Sequence, residues 1–147
     1  MRIKASFLKL WKKDSFTFIE ASLYLTAALT ALKTIPFRHL EPWFTRPAKA
    51  RRLSDTERAG HRKKVRQAVL KASRRLPIKA TCFTRAMAAQ AMLRRRGIGT
   101  TLFYGVHNST GSGLETHVWL KDGSEGIVGH FKSSDYHLLA TYQAKEK

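Results

Sequence analysis

The chain has 147 residues, 43% of them hydrophobic, and a formal net charge of +18 at pH 7. This length predicts a single-domain protein with a sizeable core, and the apolar fraction excludes a disordered chain. The charge predicts attraction to an acidic partner: nucleic acid, a membrane surface or an acidic peptide. Residues 38–96 hold 18 of the 28 Lys and Arg residues, so the basic field belongs to the middle of the chain.

The N-terminal region is predicted to be helical. Apolar residues recur at helical spacing from Phe16 to Ile35, and Pro36 ends the helix because proline lacks an N–H donor. The apolar run Ala21–Leu32 is too short for a bilayer span, which needs about 20 residues, and no signal peptide is evident. We expect a buried helix of a soluble, cytoplasmic protein, with membrane-surface contact as the alternative.

Two further helices are predicted in the middle of the chain. Residues 45–60 form a polar linker, within which Ser54 and Glu57 have capping-box spacing, so a helix begins there and ends before Pro77. A second helix spans Thr81–Arg96 and ends at Gly97, which places Cys82 at its first turn.

The apolar period then changes from helical to alternating. Strands are predicted over Thr100–Val106, Glu115–Lys121 and Glu125–His130, with a turn at Asp122–Gly123, whereas Tyr136–Tyr142 fits either a strand or a helix. The sequence therefore predicts an α+β fold.

Cys82 is the chain's single cysteine, which excludes an internal disulfide and favours a reducing compartment. Such a residue is either a nucleophile or a small buried apolar side chain. At a helix start, the backbone N–H groups and the positive dipole end favour the thiolate and can hold an oxyanion. Of the six His residues, His117 is the best candidate base, because a helix packed on the sheet could bring Cys82 to it; a structural histidine is the alternative.

The runs CFTRAMAAQAMLRRRGIGTTLFYGV and THVWLKDG resemble the core of the leader peptidases of lasso-peptide biosynthesis. The shared pattern is a Cys that opens a helix, then Leu-Arg-Arg-Arg-Gly, a Gly-Val strand end and a His-x-Trp strand before a Gly turn. The resemblance implies a transglutaminase-like (papain-like) core in residues 61–147, after an N-terminal helical region and linker in residues 1–60. It also implies a Cys–His–Asp triad, with Cys82 and His117 as two members.

The third triad member departs from the family pattern. Alignment places His130 where the family has Asp, and Asp135 is the alternative. A second His could accept a hydrogen bond from His117 but would supply less negative charge than Asp. Either residue could equally be an ordinary surface residue.

The function implied is that of a cysteine endopeptidase, which removes the leader from a precursor peptide before a lasso cyclase closes the macrolactam ring. A separate leader-binding protein would capture the substrate, since the chain has no room for such a domain. For Arg94, Arg95 and Arg96 a solvated helix end is the favoured interpretation. The alternative is a docking surface for an acidic leader or this partner, which would include Trp119.

Three other functions compete with this hypothesis. A nucleic-acid-binding module would explain the charge, but the aromatic residues lie in apolar runs rather than among the basic ones, so we expect no nucleic acid. A membrane-peripheral module would explain residues 1–35. A transglutaminase-type acyl transferase would share the same chemistry. No cofactor and no metal are expected.

Overall fold

The structure is a computed structural model that describes residues 2–109, 111, 113–129 and 136–147, and the side chains of these residues from 14 onward except that of residue 109. The described part of the chain contains four helices and one antiparallel sheet with the strand order β3-β2-β1-β4. The predicted α+β class is thus confirmed. The elements are α1 Arg2–Thr34, α2 Phe37–Phe44, α3 Asp55–Arg75, α4 Cys82–Arg95, β1 Thr101–Ser109, β2 Gly113–Asp122, β3 Glu125–Val128 and β4 His137–Gln143.

Helix α1 packs against α3 and α4, and its Ala21 and Leu25 are fully buried in the main core. It ends just before Pro36, as predicted. The apolar stretch is longer than the sequence indicated: residues Asp14–Thr34 have a mean hydropathy of 1.3, so by length and composition alone they could cross a bilayer. Helix α1 thus shares one core with α3 and α4. The predicted division of the chain at residue 60 stays a prediction.

The predicted capping box begins α3. The Ser54 hydroxyl accepts a hydrogen bond from the Glu57 N–H at 3.2 Å, and the Glu57 carboxylate accepts one from the Ser54 N–H at 2.8 Å. Two of the four backbone donors that any helix start leaves unpaired are therefore satisfied. The helix ends at Arg75, ahead of Pro77.

One face of the sheet packs against the helices. Leu102 of β1 lies opposite Leu120 of β2, Tyr104 lies opposite Val118, and all four join the core that contains α3 and α4. Side chains alternate along a strand, so the intervening residues of β1 and β2 lie on the other face of the sheet. The segment that the sequence left undecided is strand β4.

A cluster of charged side chains fixes α3 to the end of β2. The Asp122 carboxylate accepts two hydrogen bonds from Arg58, both at 2.7 Å, and one from Arg62 at 2.8 Å. Burial by itself raises the pKa of Asp122, but these hydrogen bonds outweigh it and hold the pKa below its ordinary value. Arg58 also pairs with Glu146, so the cluster includes the C-terminal segment.

The C-terminal residues run beside the linker between α2 and α3. The Ala48 N–H donates to the Lys145 carbonyl at 2.8 Å, and the Lys147 N–H donates to the Ala48 carbonyl at 2.9 Å. Ala48 is fully buried. The linker therefore has a fixed path along the end of the sheet.

Candidate active site

Cys82 is the first residue of α4, and the helix start is capped locally. The Thr81 hydroxyl accepts from the Thr84 N–H at 3.2 Å, and the Thr84 hydroxyl accepts from the Thr81 N–H at 2.8 Å. The first bond of the helical ladder runs from the Arg85 N–H to the Thr81 carbonyl at 3.1 Å. The backbone N–H groups of Cys82 and Phe83 precede this ladder, so they can donate to an oxyanion.

Cys82 is half-buried and packs against the main core. This position fits both sequence interpretations, because the residue contacts apolar neighbours and is not fully buried.

His117 lies on β2 and is half-buried. Its Nε2 lies 3.3 Å from the Gly129 carbonyl oxygen, and its ring stacks on Trp119 at 6.0 Å between centroids and contacts Tyr136 at 5.5 Å. When Nε2 carries a proton and donates it to Gly129, Nδ1 carries the lone pair. The ring can then accept a proton at Nδ1 while the carbonyl holds its orientation.

Gly129 has a backbone conformation that brings it close to β2. Its φ is +75°, and an added Cβ would lie 2.6 Å from the Val118 carbonyl oxygen. A side chain at this position would therefore push the 129 carbonyl away from His117.

A Gly129→Ala variant is expected to lose about 2 kcal/mol of unfolding free energy, because the left-handed φ and the clash with β2 add together. Gly123→Ala is the matched control: its φ is +59° but its added Cβ meets nothing within 4 Å, so only the conformational cost of about 1 kcal/mol remains. Urea denaturation of both variants measures the difference. Equal losses would show that Gly129 is not held against β2.

The sheet separates the two predicted partners. Helix α4 packs on β2 and β3, as the sequence predicted. His117, however, lies opposite Gly105 and on the same side as Trp119 and Phe103, which is the face away from α4. The direct pairing of Cys82 with His117 thus stays a prediction. The described neighbour of His117 on this side of β2 is Gly129, because β3 pairs only with the last three residues of β2.

The two candidates for the third triad member, His130 and Asp135, lie outside the described residues, so both stay predictions. The nearby Asp122, the last residue of β2, instead accepts hydrogen bonds from Arg58 and Arg62 of α3. Among the described residues, the Gly129 carbonyl lies beside the His117 ring, and sequence reasoning missed this contact. A glycine directly before His130 was its only sequence signal.

The residues predicted to dock substrate have different surroundings. Arg95 and Arg96 bind the buried Glu20 carboxylate at 2.9 and 2.7 Å, whereas Arg94 donates to the Trp43 carbonyl at 2.6 Å. Trp119 is only 7% exposed. Their part in docking stays a prediction, and the contact with Glu20 shows that two of the arginines also fix α4 to α1.

Comparison with protein-family models gives a match over residues 22–141, from the middle of α1 to β4. The matching family is the transglutaminase-like superfamily. The chain belongs to this superfamily. No curated protein and no solved structure matches the chain.

Membership of the transglutaminase-like superfamily agrees with the mixed fold and with a helix that begins at the single cysteine. The superfamily commonly contains cysteine peptidases and transglutaminases, both of which transfer an acyl group through a cysteine thioester. Among the described residues, no group of three or more His, Cys, Asp or Glu side chains could hold a metal ion.

Proposed function

We propose that this transglutaminase-like protein is a cysteine peptidase that removes the leader from a lasso-peptide precursor. The observation that carries the proposal is the position of Cys82, which begins a capped helix and is not fully buried. The family match supports acyl-transfer chemistry at this residue. The leader-peptidase specificity rests on the sequence resemblance, and its partners would be a leader-binding protein and a cyclase.

In the proposed reaction, the Cys82 thiolate attacks the carbonyl carbon of the last leader residue. The N–H groups at the start of α4 stabilise the oxyanion. The protonated His117 imidazole gives its proton to the leaving amine, so the peptide C–N bond breaks and a thioester remains. Water loses a proton to His117 and attacks the thioester, which releases the leader carboxylate and restores the thiol.

This reaction requires the imidazole to reach the thiol from the other face of the sheet. A change of register by one residue moves a strand side chain from one face to the other. We therefore propose that the pair forms when the precursor and its leader-binding partner are bound.

The proposed function is tested by incubating the purified chain with precursor and leader-binding protein and measuring the products by mass spectrometry. Separate leader and core peptides are expected, whereas leader attached to an added amine would identify an acyl transferase instead. An intact precursor under these conditions would contradict the proposal.

The approach of His117 to Cys82 is tested by the rate of thiol alkylation with iodoacetamide. In the free chain, wild-type protein and His117→Gln are expected to react at equal rates, because the imidazole lies on the other face of the sheet. With precursor and partner bound, the wild type is expected to react about tenfold faster than the variant. His39→Gln, on the exposed side of α2, is the control. Equal rates in the complex would refute this step.

A further inference from the structure

A groove of about 570 Å³ lies between α1, the α2–α3 linker and α4. Its lining is mostly apolar and includes several alanines, which let another backbone approach closely. Trp43, at its entrance, is 61% exposed. The apolar lining residues are Tyr24, Ala27, Ala28, Ala31, Trp43, Phe44, Met87 and Ala91.

Among the residues that the structure describes, the charged residues of this groove are all cations, and no acid lines it. Within the described part of the chain, Arg46, Lys49 and Arg51 form no ion pair, while Arg95 is paired with Glu20. The groove therefore presents a strong positive potential next to apolar surface. Its five cations are Arg46, Lys49, Arg51, Arg94 and Arg95.

Arg94 has an unsatisfied donor in this lining. Its Nε is buried and has no hydrogen-bond partner among the described residues. Burial, and after it the positive charge of Arg46, lower the pKa of Arg94. A carboxylate in the groove would accept a hydrogen bond from this side chain and screen its repulsion from Arg46.

The apolar surface continues along α1. Phe16, Ile19 and Leu23 are 62%, 55% and 67% exposed, and a second hollow of about 310 Å³ beside them shares Tyr24 and Ala27 with the groove. At 1.5 Å per residue, the surface from Phe16 to Ala31 is about 22 Å long. That length fits four turns of a helix.

We propose that this groove binds an amphipathic helix of a partner polypeptide, with its apolar side chains on the alanine lining and its carboxylates on Arg46 and Arg94. A flat membrane surface would touch only the protruding side chains and leave the concave lining empty. A nucleic acid would leave the apolar lining unused. The inference rests on the proposed function only for the identity of the partner, which would be the leader-binding protein.

The probe is a fluorescein-labelled 18-residue helical peptide with leucines on one face and glutamates flanking them, measured by anisotropy with the full chain. Its counterpart carries lysine at every glutamate. The Glu peptide is expected to bind and the Lys peptide to bind at least about tenfold more weakly. An Arg46→Gln/Arg94→Gln variant is expected to weaken binding of the Glu peptide about tenfold, and Ala27→Trp, which fills the groove, to abolish it.

The matched control is Arg66→Gln/Arg74→Gln, which removes the same charge from the exposed side of α3 and is expected to leave binding unchanged. An equal loss in this control, equal binding of the Lys peptide, or no binding of either peptide would overturn the proposal. Binding only to vesicles of phosphatidylglycerol and phosphatidylcholine would identify a membrane surface instead and also overturn it.

The leader-removal assay separates this inference from the proposed function. Peptide binding without cleavage of a precursor would leave the groove assigned and remove the peptidase. If the precursor is cleaved, the groove variants cleave it at the wild-type rate and no peptide binds, the peptidase is retained and the groove proposal is overturned.

Discussion

In a Cys82→Ala variant the rate of leader removal is expected to fall by a factor of at least about ten thousand, because no other thiol in the chain can form the thioester. The fold is expected to persist, since the side chain is half-buried and alanine favours a helix. Single-turnover cleavage, followed by mass spectrometry, measures the loss.

A Cys82→Ser variant and a thermal melt complete this experiment. Serine keeps nearly the same volume but is a much weaker nucleophile without an adjacent strong base, so a similarly large loss is expected. An unchanged melting temperature would attribute the loss to chemistry rather than to unfolding. If Cys82→Ala kept even a tenth of the wild-type rate, the thiol would not be the nucleophile.

The largest expected effect on stability is that of Asp122→Ala. The Asp122 side chain is 7% exposed, and its carboxylate accepts hydrogen bonds from both Arg58 and Arg62. Its removal leaves Arg58 with Glu146 as its remaining ion-pair partner and takes from the partly buried Arg62 the carboxylate that it binds. We expect a loss of about 3 kcal/mol in unfolding free energy, measured by urea denaturation at pH 7.

Asp55→Ala is the control for this variant, because Asp55 is an exposed acid in the first turn of α3 and should contribute less than about 1 kcal/mol. The contribution of Asp122 also depends on pH. Its pKa in the folded chain lies below the ordinary 3.8, so its stabilisation is complete above 3.8 and disappears as the pH falls through the folded value. Equal losses in the two variants would show that the cluster contributes little.

The helices could be predicted in detail because their signals are local. The Ser54–Glu57 capping box, the stops at Pro36 and Pro77, and the helix that begins at Cys82 all follow from residues a few positions apart. Helix α1 begins earlier than predicted, at Arg2, because a helix, once nucleated, extends beyond its apolar face at little cost per residue.

The candidate site was predicted less completely, because its geometry depends on tertiary structure. Alternation correctly grouped His117 with Trp119, but only the packing of α4 shows which face of the sheet that helix covers. The Gly129 carbonyl is a backbone group, so no side-chain pattern announces it. The pairing of Arg95 and Arg96 with Glu20 spans about 75 residues and was equally invisible.

The backbone pairing of Ala48 with the C-terminal segment has a mechanical consequence. Arg46, Lys49 and Arg51 project from the same linker that this pairing attaches to the residues after β4. The wall of the groove that carries these cations is thereby joined by main-chain hydrogen bonds to the segment that follows β4, the strand paired with β1. A helix bound in the groove would rest on a wall that is anchored to the sheet rather than on a free loop.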